Sequence, residues 1–281
     1  MTLDDHFDAT EFINVPIQPD ETGQPRYPFV FLIDISESTT VLPPGSDKTD
    51  IEALNEFLGD IFGVLHSGPP DDELEKHRPF IDVAIVTYAD KAYEHMPWTR
   101  ADELNLPPQH LSALPKTTAM GHALAYSIGY IRKIQQHYTR QKLPKSGIPI
   151  IFHVTDGGAK DIGPEQAQLL ELRANIDTLN PGGERPTRML IYHFVTPNGY
   201  RISQQDDVRD ETGKQVTGEE LLVRMFGRNH VMALQHGADS FGTLVRFITK
   251  TISRVSQGKT PTAEMLDRLM DTFKANPPTP Q

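Results

Sequence analysis

Phe29-Val30-Phe31-Leu32-Ile33-Asp34-Ile35-Ser36-Glu37-Ser38 decides how the rest of the chain is read. Five apolar residues in succession predict a strand buried on both faces, as in a parallel sheet. The run ends in D-x-S-x-S. At the carboxyl end of a parallel strand the chain leaves the sheet and opens a crevice where ligands bind. Asp34, Ser36 and Ser38 can turn three oxygens toward one point there. A hard cation such as Mg²⁺ takes oxygen ligands in near-octahedral geometry. One loop supplies too few, so other segments must add to it.

Working outward, similar apolar runs recur. Phe80–Tyr88 and Gly147–Thr155 read as further buried strands, the second ending in Asp156-Gly157-Gly158, and Arg188–Val195 as another. Ala92–Met96 suggests an antiparallel edge strand turned back on the second. A loop containing Trp98 leads to Thr118-Ala119-Met120-Gly121 and a helix through Ile134. Asp47 or Thr49 can cap a helix carrying Leu54, Phe57, Leu58, Ile61 and Leu65. Gly163-Pro164 opens another, with proline at an early helical position. Glu219–Phe226 reads as a short helix and His230–Leu234 as a final short strand. Phe241, Leu244, Val245, Phe247, Ile248, Ile252 and Val255 form the last amphipathic stripe. Strands alternating with helices predict an α/β fold: a doubly wound, mostly parallel central sheet with one antiparallel edge strand and helices on both faces.

Residues 1-27, rich in aspartate and proline, read as an extended arm. The domain then covers 28-257, with a polar insert at 196-218, and 258-281 form a tail.

Composition narrows the function. The chain has 281 residues, 37% hydrophobic and 23% charged, enough for a real core. With 27 basic and 38 acidic residues the net charge is -11, which disfavours nucleic acid and anionic membranes as partners. There is no cysteine, so disulfides, zinc-thiolate sites and cysteine nucleophiles are excluded. No apolar run reaches the ~20 residues of a membrane span, and the acidic amino terminus lacks the apolar core of a signal peptide. The expectation is a cytoplasmic protein.

Asp34-x-Ser36-x-Ser38, Thr118-x-x-Gly121 and Asp156-Gly157-Gly158 fall, in that order, at strand ends or a helix start. With them the chain resembles the von Willebrand factor A (vWA) domain family and its metal-ion-dependent adhesion site. The resemblance spans roughly residues 27 to 257. It implies that Asp34, Ser36, Ser38, Thr118 and Asp156 hold a divalent cation, directly or through bound water. All-oxygen ligation suits Mg²⁺ first, with Mn²⁺ or Ca²⁺ as alternatives. Neutral hydroxyl ligands leave the cation's charge poorly neutralised, so it still attracts an Asp or Glu carboxylate from a protein partner. Within the family the pattern is similar to stand-alone bacterial proteins of the tellurium-resistance TerY type, through Ile51–Asn55, Leu111–Leu114 and Phe241–Ser256. Lys116 and Thr117 replace the usual glycines before the threonine. That likeness implies a stress-response or phage-defence setting, with a kinase or phosphatase of the same gene set as partner. The strand 188–195 ends on the same edge as Asp34 and Asp156, so the insert falls at the crevice rim. Arg201, Asp206, Asp207 and Arg209 are its candidate partner-binding residues.

An enzymatic alternative is a metal-dependent hydrolase or phosphatase using the same cation. Against it, Ser36 stands where haloacid-dehalogenase phosphatases need a second acid. Gly258-Lys259-Thr260 lacks the first glycine of a P-loop (Ser253 stands there), and a helix rather than a strand precedes it. No G-x-G-x-x-G follows a strand, and H-E-x-x-H is absent. The expectation is therefore a non-catalytic protein. His153 and His193 read as core residues inside strands. His122, just after the Thr118 loop, can reach the crevice rim, but a packing role is favoured for it.

Overall fold

The computed structural model describes residues 25–43, 45–68, 74–143, 147–158, 161–162, 189–198, 216–234 and 239–256. Elements are numbered in chain order among these. Strand β1 (Tyr27–Asp34) is buried along its whole length, as its apolar run requires. It lies between β2 (Ile81–Tyr88) and β4 (Ile150–Thr155), parallel to both. β5 (Leu190–Val195) and β6 (Val231–Ala233) continue the parallel sheet beyond β4, and β3 (Ala92–Arg100) closes the other edge antiparallel to β2. The order is β3-β2-β1-β4-β5-β6.

Helices cover both faces. α1 (Asp50–His66) and α4 (Asp239–Ser256) bury Leu54, Phe57, Ile61, Phe247 and Ile248 against the odd positions of β1, Phe29, Phe31 and Ile33. α2 (Met120–Arg140) and α3 (Gly218–Phe226) cover the even positions, Val30 and Leu32, with Leu124, Ile131, Leu222 and Phe226. This two-sided burial is why β1 shows no polar alternation. Among the described residues, no helix is long and apolar enough to cross a membrane.

Three details differ from expectation. Trp98 lies inside β3 rather than in a loop, and stacks on Tyr130 with ring centroids 5.1 Å apart. Register shifts between Val83 and Val86 let β3 run through Pro97, which alone would suggest that the strand stops. Arg26 and Tyr27, assigned to the arm by composition, belong to the sheet: Tyr27 opens β1, and buried Arg26 donates through Nε and Nη2 to Asp82 at 2.7 and 2.5 Å. The remainder of the arm at 1–24, the helix expected after Pro164 and the tail lie outside the described residues.

Candidate metal centre

Chain direction along the sheet reverses at β1, whose neighbours β2 and β4 lead away on opposite sides. The crevice beyond the carboxyl ends of β1 and β4 is thus a topological switch point. Backbone bonds hold this edge in register past the strand ends. Ile35 N–H donates to Tyr88 O at 2.9 Å, and Thr196 N–H to Thr155 O at 2.9 Å.

Asp34 ends β1, 1% exposed. Its Oδ1 accepts from Ser36 N–H at 2.9 Å, and its Oδ2 accepts from the Thr155 hydroxyl at 3.0 Å. The turn that begins at Ser36 places Ser36 Oγ 3.1 Å from Ser38 Oγ. Ser38 Oγ donates onward to Asp156 Oδ2, and Asp156 Oδ1 accepts Gly158 N–H at 2.9 Å. Four of the five residues singled out in the sequence therefore meet across the switch point through hydrogen bonds of two loops.

Thr118 is the fifth. It sits near the start of α2, is 9% exposed, and belongs to a loop pinned to the same edge. Ala119 N–H donates to Ala89 O at 2.7 Å, one residue beyond Tyr88, which lies opposite Asp34. Leu114 N–H donates to Ile35 O at 2.7 Å. Thr118 does not cap α2. The helix start is satisfied by Asp161, whose two carboxylate oxygens accept Gly121 N–H and His122 N–H at 2.8 Å each. His122 turns its Nδ1 to Ala92 N–H at 3.3 Å, toward the start of β3.

The electrostatics favour a cation. Burial, and then the charge of Asp156, push the Asp34 carboxyl up to about 7, against the lowering effect of its hydrogen bonds from Ser36 and Thr155. Asp50, the buried first residue of α1, adds to the negative field. Burial is the largest cause that raises it to about 6, with Asp156 contributing, while Thr196 Oγ1 donates to it at 2.5 Å. Among the described residues no three acidic or histidine side chains converge as a metal cluster. The donor set instead mixes two carboxylates with hydroxyls, which fits a hard, oxygen-seeking cation.

Sequence reasoning missed three contributors. Asp50 reads as an ordinary first-turn acid, Asp161 sits in a stretch with no pattern, and Gly218 looks like a turn residue. A Cβ on Gly218 would lie 2.4 Å from Asp156 O, and one on Gly157 (φ +83°) 2.5 Å from Gly218 Cα. The first turn of α3 thus rests directly on the Asp156 loop. Asn198, in the turn after β5, donates through Nδ2 to Val41 O at 2.7 Å. Arg201, Asp206, Asp207 and Arg209 lie outside the described residues.

No protein-family model matches the chain, and no curated protein does. Solved structures with a similar fold include the PilB minor pilin from Streptococcus sanguinis, at 12% identity over 85% of this chain and 63% of that one, with TM-score 0.51. A von Willebrand factor type A protein from Catenulispora acidiphila aligns at 15% identity over 80% of this chain and 42% of that one, TM-score 0.48. BatB from Bacteroides thetaiotaomicron aligns at 15% identity over 80% and 98%, TM-score 0.48. These likenesses concern the fold alone, which the sheet order makes a doubly wound, Rossmann-like α/β fold.

Proposed function

We propose that the chain is a divalent-cation-dependent protein-binding module without catalytic activity. The observation that carries this reading is the contact chain Asp34–Ser36–Ser38–Asp156 across the switch point, where two buried carboxylates face each other beside neutral hydroxyls. Asp34, Ser36, Ser38, Thr118 and Asp156 would hold the ion, Mg²⁺ in preference to Mn²⁺ or Ca²⁺. The bound cation supplies positive charge that can accept one more carboxylate, from an Asp or Glu of the partner. Asp34 and Asp156 neutralise part of that charge, and Ser36 and Ser38 add none, so the residual attraction for an anion survives.

The surroundings support a protein ligand. Val41 and Leu42, on the loop leaving the site, are about half exposed, an apolar rim beside a charged centre. Asn198 ties that loop to the entrance of the polar insert, whose Arg201, Asp206, Asp207 and Arg209 we assign to partner selection. A TerY-like place in a stress-response or phage-defence gene set, with a kinase or phosphatase partner, is the setting that the sequence resemblance favours.

The test is capture of the natural partner from lysate with Mg²⁺ and with chelator, alongside a phosphomonoester and phosphodiester screen. Capture should need the cation and disappear in Ser36→Ala. Turnover with Mg²⁺ or Mn²⁺ that vanishes in Asp34→Ala would replace the binding reading with the hydrolase one.

A further inference from the structure

Beneath the crevice, a line of buried polar side chains runs through the even-numbered face of the sheet. Register pairs Asp34 with Tyr88, Leu32 with His153, and His153 with His193. Tyr88, His153 and His193 are each fully buried. The Tyr88 hydroxyl lies 2.7 Å from His153 Nε2, and His153 Nδ1 lies 2.8 Å from His193 Nδ1. Tyr88 stands opposite Asp34 in the register, and Asp34 and Thr155 are the side chains that act on its hydroxyl from the crevice side. His193 Nε2, at the inner end, has no hydrogen-bond partner among the described residues and lies in a ring stacked on Phe226, centroids 4.1 Å apart.

Burial holds both imidazoles neutral, pushing His153 down to about 3 and His193 well below its ordinary value. A neutral ring has one N–H and one bare nitrogen, so the Nδ1–Nδ1 contact needs opposite tautomers. Two arrangements satisfy it. In the first, His153 Nδ1–H donates to His193, and His153 Nε2 then takes the Tyr88 proton. That leaves the tyrosine oxygen as a bare acceptor facing Asp34, and it strands an N–H of His193 in the core. In the second, His193 Nδ1–H donates to His153, His153 Nε2–H donates to the tyrosine oxygen, and the Tyr88 O–H is free to donate outward. On that side lie Asp34, its partner in the register, and Thr155, whose own hydroxyl donates to Asp34 Oδ2. Only a bare nitrogen is then left beside Phe226. Orphaned buried N–H groups are rarer than under-satisfied acceptors, and an acceptor facing the ionised Asp34 carboxylate is repulsive. Both ends favour the second arrangement.

We propose that His153 and His193 are positioning residues of the cation site, a tautomer-locked pair that turns the Tyr88 hydroxyl into a donor aimed at Asp34. Its effect on cation affinity rests on the binding reading above; the tautomers do not. Such outer partners orient ligands and tune a metal site, and removing one typically lowers affinity 10–100-fold.

Histidine-selective ¹⁵N labelling, with each ring assigned through bonds to its own backbone, reads the tautomers in the parent protein without any mutation. His193 should carry its proton on Nδ1 and His153 on Nε2; the reverse pair, or a charged ring, overturns the proposal. Calorimetric Mg²⁺ titration then gives the functional consequence. Tyr88→Phe and His193→Leu should each weaken binding roughly tenfold, while His193→Asn, whose amide N–H replaces the Nδ1–H, should stay within about threefold of the parent. Parental affinity in Tyr88→Phe would refute the positioning role. A parent that binds no Mg²⁺ would instead overturn the cation reading, leaving the tautomers to decide the hydrogen-bond line.

Discussion

Asp156 is pulled in two directions. It accepts from Ser38 Oγ and from Gly158 N–H, which fixes the loop, yet its charge is a cause of the raised Asp34. It is 1% exposed, so burial beside another carboxylate penalises its charge. Asp156→Asn keeps the acceptor for Gly158 while deleting the charge. In chelator the variant should be at least as stable as the parent, by a gain of up to about 1 kcal/mol, or about 2–4 °C in a domain of this size. Added Mg²⁺ should raise the parent's melting temperature in proportion to the logarithm of its concentration and leave the variant unchanged. Thermal denaturation with and without Mg²⁺ measures both. An asparagine variant that melts early in chelator would mean that the carboxylate is needed for the fold.

At the scale of elements, the Asp156 loop depends on the first turn of α3. Gly157 and Gly218 meet backbone to backbone, and Gly157 also has φ +83°, where a side chain is strained. Gly157→Ala should therefore destabilise the protein by about 1–3 kcal/mol and weaken cation binding by moving Asp156; a variant with parental melting and Mg²⁺ affinity would show that the contact yields. This contact also marks where sequence reading stops. The strand ends carrying Asp34 and Asp156 are legible because a buried parallel strand is a largely apolar run, and each of these runs stops at or next to its aspartate. The Thr49 and Thr217 capping boxes are written in local spacing, T-x-x-E. Asp161 on α2, Gly218 on Asp156 and Asp50 under Thr196 join segments 40, 62 and 146 residues apart. No local period announces such contacts. They follow from the packing of helices onto the sheet, and Trp98 is hidden likewise by a bulge that only the β2 pairing reveals.

For the whole molecule, buried titratable groups in and beside the sheet set how stability responds to acid. His153 and His193 have native values below the ordinary one near 6.5. Their contribution is fully present above that value. Below it the unfolded chain binds protons that the native state refuses, so stability falls with pH, for His153 down to about 3. Each histidine then removes about 2 kcal/mol at pH 5. Asp34 and Asp50 act with the opposite sign. Their native values, about 7 and about 6, exceed that of an unfolded carboxyl, so their contribution is present at low pH and lost as pH rises through 6 to 7. In chelator the two pairs oppose each other, and stability should change little between pH 8 and pH 5. With saturating Mg²⁺ the Asp34 carboxylate is held ionised, its gain on acidification disappears, and the histidine loss is exposed. Stability should then fall on acidification, and His193→Asn, which deletes one of the two histidines, should recover about 2 kcal/mol of it at pH 5 relative to pH 8. Urea denaturation of parent and variant at both pH values, with Mg²⁺ and with chelator, measures all of these differences. A parent whose stability falls equally with and without Mg²⁺ would show that the Asp34 carboxyl does not take up its proton on acidification. Equal acid sensitivity of parent and His193→Asn would show that the imidazole is not held neutral in the fold.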